Sequence, residues 1–131
     1  MTAKGYKPKW VQIHFWEMEL PAYRLMSPYG RALVVEFRKK FNGSNNGDIA
    51  MAVREAARLL GCHKDTAAKA LREVEDKGWI RPTKKGSFHM KSEAGGRKFR
   101  AATTWRITNK PVGLGVDIPD TKEYIKWRPK I

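Results

Sequence analysis

The chain has 131 residues, of which 27 are Lys or Arg and 13 are Asp or Glu, so its formal net charge is +14 at pH 7. This length suits one compact domain, and the longest apolar runs, 32–35 and 49–53, are too short to span a membrane. The first residues lack the apolar run of a signal peptide, and the single Cys62 cannot form an internal disulfide. We therefore expect a cytoplasmic protein with no membrane partner. Because such a charge imbalance costs self-repulsion, it indicates a polyanionic partner.

The first part of the chain, residues 1–16, combines basic and aromatic residues and is predicted to form an arm or a short strand. Apolar and polar residues alternate over 11–15, which is the period of two of a β-strand. A short helical turn is predicted over 21–26, because Pro21 is tolerated in the first turn of a helix.

A longer helix is predicted to begin at Ser27-Pro28, where serine suits the N-cap and proline suits the first helical position. Apolar residues then recur at helical spacing, namely Tyr29, Leu33, Val34, Phe37 and Phe41. The basic residues outside this apolar face are Arg31, Arg38, Lys39 and Lys40. We expect the helix to end at Asn42-Gly43, and residues 48–51 are a candidate short strand.

Two shorter helices are predicted in quick succession. Apolar residues fall at i, i+3, i+4 and i+7 in each, as Val53, Ala56, Ala57 and Leu60 in the first and Ala67, Ala70, Leu71 and Val74 in the second. Gly61 and Gly78 suit the position just after each helix, where the backbone often becomes left-handed. Only 61–63 separate the two helices, and such a pair forms a helix-turn-helix unit.

After Gly78 the period of the apolar residues changes to two, which predicts a strand from Trp79 and a second strand over 103–108. The basic residues between 81 and 100, against the single acid Glu93, are Arg81, Lys84, Lys85, Lys91, Arg97, Lys98 and Arg100. The pattern predicts a β-hairpin with a long, positively charged excursion. The residues from 109 onwards are expected to be irregular, apart from a short helix over 121–127.

The turn, the second helix and the hairpin carry a resemblance to a known family. Segments 61–72 (GCHKDTAAKALR) and 77–80 (KGWI) resemble the recognition-helix signature of bacterial winged helix-turn-helix DNA-binding regulators, and 102–108 (ATTWRIT) is similar to their closing wing strand. Together with 27–28 and 45–47, these segments are similar to small winged-helix proteins of bacterial chromosomes and mobile elements.

This resemblance implies an α+β fold, a winged helix-turn-helix with three main helices and a β-hairpin wing over residues 17–108. Residues 1–16 would then form an N-terminal arm and 109–131 a C-terminal tail. It also implies sequence-specific binding of double-stranded DNA, transcription regulation, and a location at the bacterial nucleoid. The chain departs from the family pattern at His63, where a serine N-cap is usual, and in its long wing.

In this geometry the first turns of the helix 64–77 enter the major groove. Its basic residues would donate to guanine or to phosphate, and Ala68 would leave room for a thymine methyl. Asp65 either accepts from cytosine N4 or serves as a first-turn charge or cap, while Thr66 contacts a phosphate or caps the helix. The candidate recognition residues are Lys64, Asp65, Thr66, Ala68, Lys69 and Arg72.

The charges along this helix run against its dipole, which favours acids early and bases late. The acids Glu73, Glu75 and Asp76 instead occupy the second half of the helix. A solvated face with the i,i+4 pairs Lys69–Glu73 and Arg72–Asp76 is one explanation of this order. A phosphate backbone at the first two turns also favours it, and we prefer that interpretation.

Other basic residues are expected to contact the DNA backbone. Those of the hairpin would neutralise phosphates or reach the minor groove, and two arginines lie on the outward side of the preceding helix. These candidates are Lys84, Lys85, Lys91, Arg97, Lys98, Arg100, Arg54 and Arg58.

Two other functions remain open at this point. A plasmid or phage replication or partition protein would also recognise an origin through a winged helix. A single-strand or RNA-binding module would stack bases on the five tryptophans. We expect instead that Trp16, Trp79 and Trp105 pack in the core, while Trp10 and Trp127 anchor the ends.

We expect no enzymatic activity, no cofactor and no metal. The three histidines lie far apart, and Cys62 alone forms no zinc motif with them. The Glu75-Asp76-Lys77 tripeptide resembles a nuclease motif, but it lies on a predicted helix instead of a strand. Many winged-helix proteins bind palindromes as homodimers, although no dimer helix is evident here. The tail, with Tyr124, either folds back or docks on a protein partner.

Overall fold

In the computed structural model of this chain, residues 8–84, 102–113 and 118–130 are described. Within these ranges the chain forms five α-helices and one antiparallel sheet of three strands, so the fold is α+β. In chain order the elements are α1 (Phe15–Met18), α2 (Pro21–Arg24), α3 (Pro28–Lys40), β1 (Ile49–Ala50), α4 (Val53–Leu60), α5 (Lys64–Asp76), β2 (Ile80–Lys84), β3 (Thr104–Ile107) and a 3₁₀ turn (Glu123–Ile125). No helix within these ranges has the length and apolarity that crossing a membrane requires.

The strand predicted over 11–15 is wrong, because α1 begins at Phe15 and the described residues before it form no strand. The reason is a tertiary contact. Glu17 is buried in an ion pair with Arg38, and its Oε1 accepts a hydrogen bond from the backbone N–H of His14 at 2.8 Å. This bond closes a helical turn and leaves the side chain of Phe15 85% exposed.

Helix α3 begins as its sequence predicts. Ser27 is the N-cap, its Oγ accepts a hydrogen bond from the backbone N–H of Gly30 at 3.1 Å, and Pro28 is the first helical residue. The helix ends at Lys40, slightly earlier than predicted, because the backbone of the next residue is extended. The middle of the predicted apolar face is buried in the core, namely Leu33, Val34 and Phe37.

Three apolar residues that the sequence predicts to face the core are exposed instead. Trp16 is 44% exposed, Tyr29 is 46% exposed and Val53 is 37% exposed. Each lies in the first turn of its helix, where the helix extends beyond the residues it packs against. The helical spacing predicted correctly which face of α3 and α4 packs on the core, but not that this face is exposed in the first turn.

The two helices α4 and α5 and the turn between them agree with the sequence. Gly61 has φ +66°, and the N–H of Cys62 donates to the carbonyl of Ala57 at 3.1 Å, which closes the end of α4. The same bond pattern ends α5, where Gly78 has φ +86° and the N–H of Trp79 donates to the carbonyl of Val74 at 3.1 Å. Both glycines are needed because L-residues rarely adopt this backbone conformation.

Strand β3 is the centre of the sheet and pairs with β1 on one side and β2 on the other. The predicted alternation is confirmed, since Trp105 and Ile107 are buried on one face of β3. Asn46 fixes the end of this strand from the loop before β1. Its buried amide accepts a hydrogen bond from the N–H of Ile107 at 2.7 Å and donates to the carbonyl of Lys110 at 2.9 Å.

The C-terminal segment folds back onto the core. The side chain of Tyr124 is fully buried, and its ring stacks on that of Trp79 with the centroids 4.0 Å apart. The helix predicted over 121–127 is shorter than expected, because only Glu123–Ile125 forms a 3₁₀ turn. This segment also explains the tight fit at Gly78, where a Cβ would lie 2.8 Å from the backbone nitrogen of Tyr124.

Candidate nucleic-acid interface

Helix α5 turns one face to the core and the opposite face to solvent. Its buried residues are Ala67, Ala70, Leu71 and Val74, and the helix contacts both α3 and α4. The exposed residues on the opposite face are Asp65, Lys69, Arg72 and Asp76, and Lys64 is exposed at the first position of the helix. Thr66 and Ala68 are half-buried at the two edges of this face, as expected from 3.6 residues per turn. Five of the six candidate recognition residues thus belong to one solvent-facing surface, and Lys64 lies at its N-terminal end; we call these six residues the α5 stripe.

The basic residues of the α5 stripe, Lys64, Lys69 and Arg72, form no ion pair with any residue that the structure describes. The two i,i+4 pairs that would explain the charge order, Lys69–Glu73 and Arg72–Asp76, are therefore not formed. This positive charge is left available to a ligand. Several other basic side chains that the structure describes lie within 4.0 Å of a carboxylate, among them Arg38, Lys40, Lys77 and Arg81.

Glu73 has a partner on another helix, which sequence spacing did not reveal. Its carboxylate accepts hydrogen bonds from the backbone N–H and the hydroxyl of Ser27, the N-cap of α3, and lies 3.6 Å from Nζ of Lys77. The positive end of the α3 dipole stabilises this carboxylate. The alternative of a solvated face, in which Glu73 pairs with Lys69, is therefore not formed for this residue, because a contact between two helices determines the place of Glu73.

The start of α5 is capped by His63. The imidazole Nδ1 accepts a hydrogen bond from the backbone N–H of Asp65 at 3.2 Å, so histidine here fills the role of a serine N-cap. The carboxylate of Asp65 is exposed and lies 3.6 Å from Nδ1 of His63. Two roles were considered for Asp65, a cap and a base contact. Because His63 caps the helix, the exposed carboxylate of Asp65 remains free to accept hydrogen bonds from a ligand.

The two arginines of α4 are both exposed but differ in their surroundings. Arg58 lies 3.8 Å from the carboxylate of Glu55, which also pairs with Lys40 at 2.7 Å. Arg54 forms no ion pair within the described ranges. Of these two candidates for contact with the DNA backbone, Arg54 is therefore the one without an acidic partner among the described residues.

The structure describes only the base of the predicted basic wing. Lys84 is exposed at the end of β2, while the other wing candidates lie outside the described residues, namely Lys85, Lys91, Arg97, Lys98 and Arg100. Arg81 and Arg106 are direct neighbours across the β2–β3 pair, and such like charges repel. The carboxylate of Glu123 lies 3.0 Å from Arg81 and 3.8 Å from Arg106, so it compensates part of the positive charge of these two arginines.

A buried ionic cluster, which sequence reasoning missed, joins three distant parts of the chain. Arg38 was expected to lie outside the apolar face of α3, but its guanidinium is buried and donates to Oε1 and Oε2 of Glu17 at 3.1 and 2.5 Å. The hydroxyl of Tyr124 donates to the same carboxylate at 2.9 Å. One signal was present, since Arg38 is four residues after Val34 and therefore borders the apolar face of α3.

The surroundings of this cluster keep Glu17 ionised and Tyr124 protonated, which are the states that its hydrogen bonds require. Burial raises the pKa of the Glu17 carboxyl, but the hydrogen bonds and the charge of Arg38 outweigh it, and the pKa falls below its ordinary value of 4.5. Burial and the adjacent carboxylate raise the pKa of Tyr124 above its ordinary value of 10.0. At neutral pH Glu17 is therefore the acceptor and Tyr124 the donor.

Comparison of the chain with known proteins finds no family model, no curated protein and no solved structure that matches it. Within the described ranges, no group of three His, Cys, Asp or Glu side chains is placed to hold a metal ion.

Proposed function

We propose that this chain is a winged helix-turn-helix protein that binds double-stranded DNA sequence-specifically and regulates transcription. One observation carries the proposal: Lys69 and Arg72 on the exposed side of α5, and Lys64 at its start, have no ion-pair partner among the described residues. A helix with its side chains is about 10–12 Å wide, and the major groove is about 12 Å wide. Helix α5 can therefore enter the groove with this positive side towards the bases.

The order of the elements supports this fold assignment. Helices α3, α4 and α5 enclose the core, β1 lies between α3 and α4 in the chain, and β3 lies between β1 and β2 in the sheet. Residues 61–63 join α4 to α5 in a tight turn, as in a helix-turn-helix. Strands β2 and β3 would form the base of the wing.

The chemistry of the α5 stripe supports base reading rather than charge attraction alone. Lysine and arginine donate to O6 and N7 of guanine, while an exposed carboxylate such as that of Asp65 accepts from N4 of cytosine. Because His63 caps the helix, the carboxylate of Asp65 is not needed for that purpose. Ala68 provides a methyl-sized surface beside these polar groups.

Phosphate contacts would come from other basic residues of the protein. Arg54 on α4 and Lys84 on β2 are exposed, and the remaining basic residues between 85 and 100 would extend the same positive surface. In this proposal the protein binds DNA without catalysis and is located at the nucleoid.

Selection from a random pool of duplex DNA tests the proposal. The full chain should enrich a defined duplex and bind it at physiological salt about a thousandfold more tightly than a scrambled duplex. The separated strands of the selected duplex should bind no better than the scrambled one. Failure to enrich any sequence, or tighter binding of single strands, would contradict the proposal.

A further inference from the structure

A cleft of about 500 Å³ lies away from α5, and no described residue of α4 or α5 lines it. Its walls come from the N-terminal segment before α1, from α3, from the residues after β3 and from the C-terminal segment. The volume falls within the range of small-molecule sites, roughly 300–1,000 Å³. The cleft is therefore separate from the proposed DNA-binding surface.

Aromatic rings with nearly parallel planes form one side of this cleft. His14 and Trp16 have ring centroids 5.8 Å apart with 18° between their planes, and Trp16 and Tyr124 have centroids 6.3 Å apart with 17° between theirs. Trp10 also lines the cleft and is 81% exposed. Exposed tryptophan faces in a concave site are the surfaces on which a flat ring stacks.

Polar groups of the cleft lack partners that the protein itself would supply. Oδ1 of Asn109 is buried but has no hydrogen-bond partner among the described residues. Buried polar atoms of this kind are usually satisfied by protein, by water or by a ligand. Lys110, next to it in the chain, is exposed and forms no ion pair within the described ranges.

Another residue that lines the cleft has an unusual backbone conformation. Lys122 has φ +44° and ψ +49°, a left-handed geometry that L-residues seldom adopt, and its N–H donates to the carbonyl of Thr108 at 2.8 Å. This contact holds the segment that carries Tyr124 against the end of β3. Strained residues of this kind concentrate at binding sites.

We propose that this cleft binds the base of an adenine nucleotide. The ring would stack on the exposed face of Trp10, and the amide of Asn109 would turn towards the cleft to bring its buried oxygen, and its nitrogen, to the adjacent donor and acceptor of the adenine edge. Lys110 would contact the phosphate. The same base chemistry is offered by a free nucleotide and by single-stranded DNA, and the measurement distinguishes these two sources.

Isothermal titration calorimetry of the full chain with adenosine monophosphate, and separately with a short single-stranded oligodeoxyadenylate, tests the proposal. Saturable binding is expected, and ribose 5-phosphate, which lacks the base, should not compete. Trp10→Ala should weaken binding by about tenfold, the usual effect of removing a stacking side chain, and Asn109→Ala by about tenfold through loss of a paired amide. Phe15→Ala is the matched control, because Phe15 is an equally exposed aromatic residue that does not line the cleft.

Stronger binding of the mononucleotide assigns the cleft to a free nucleotide, and stronger binding of the oligonucleotide assigns it to single-stranded DNA. Lys69→Ala and Arg72→Ala should leave both affinities unchanged, so that a failure of the α5 proposal does not affect this one. Absence of saturable binding, or equal affinity of Trp10→Ala and Phe15→Ala for both probes, would overturn the proposal.

Discussion

The carboxylate of Glu73, near the end of α5, accepts hydrogen bonds from the backbone N–H of Ser27 at 3.1 Å and from its hydroxyl at 2.7 Å. Because Ser27 is the N-cap of α3, this one carboxylate holds the end of α5 against the start of α3. Gly30 makes the approach possible, since a Cβ there would lie 2.5 Å from Oε1 of Glu73. The orientation of the α5 stripe therefore depends on a contact beside it, at the flank of the helix.

Replacing Glu73 by alanine should lower the free energy of unfolding by about 2 kcal/mol, because hydrogen bonds to a charged group are lost and the N-cap serine loses its partner. Urea denaturation measures this change. Asp76→Ala is the control, since Asp76 is exposed on the same helix and should change stability by less than about 0.5 kcal/mol. Equal effects of the two substitutions would show that the contact contributes little.

Lys69→Ala and Arg72→Ala should each weaken binding of the selected duplex by about 1–3 kcal/mol while scarcely changing the binding of scrambled duplex. The reason is that a lost base contact affects only the sequence that offers it. Lys39→Ala removes a charge from an exposed position of α3 and should leave both affinities almost unchanged. If Lys69→Ala weakens both duplexes equally, α5 does not read bases.

Replacing Lys84, Lys85, Lys98 and Arg100 together should reduce the salt dependence of DNA binding. Each phosphate contact that is lost lowers the slope of log K against log salt by about one unit. Affinities measured between low and physiological salt give this slope. An unchanged slope would remove the wing from the interface.

The Glu17–Arg38 ion pair should make stability depend on pH in the acid range. Because the pKa of Glu17 is lower in the folded chain than its ordinary value of 4.5, the pair stabilises the fold fully above that value and loses its effect as the pH falls through the lowered pKa. Urea denaturation between pH 7 and pH 3 should show this loss in the unmodified chain.

Glu17→Gln supplies the comparison for that measurement. It should lower stability at pH 7 by about 3 kcal/mol, because the buried guanidinium of Arg38 loses its counter-charge, and it should flatten the pH dependence. Glu36→Gln is the control, since Glu36 forms no ion pair with a described residue and should leave the curve unchanged. An identical pH profile for Glu17→Gln and the unmodified chain would contradict the assignment.

Lys122→Gly should stabilise the protein by about 1 kcal/mol, because glycine adopts the left-handed conformation of this residue without steric cost. The exposed ion pair with Asp120, at 3.3 Å, contributes too little to offset this gain. The melting temperature measured by calorimetry reports the change. Lys126→Gly is the control and should lower stability, since Lys126 has φ −89°.

Signals that act over a few residues predicted much of the fold. Ser27-Pro28 fixes the start of α3, Gly61 and Gly78 fix the ends of α4 and α5, and the alternation around Trp105 fixes the buried face of β3. Caps, turns and face periodicity depend on nearby residues, so they can be read without a structure. The exposed side of α5 was predictable for the same reason.

Contacts between distant residues were not predictable in this way. Glu17 and Arg38 are 21 residues apart, and Glu17 and Tyr124 are 107 apart, so no local pattern pairs them. The helical period places Glu73 near Lys69. The carboxylate of Glu73 instead accepts a hydrogen bond from Ser27, at the start of α3. Tertiary contacts thus decide which charges of the sequence remain available to a ligand.

Tyr124 has a consequence for how the chain can be divided. A fragment that stops after β3 would uncover one face of the Trp79 ring and remove a donor from the Glu17 carboxylate, although it would keep every helix of the core. A fragment of residues 17–108 should therefore be less stable than the full chain, and proteolytic trimming from the C-terminus should lower the free energy of unfolding once it passes the 3₁₀ turn.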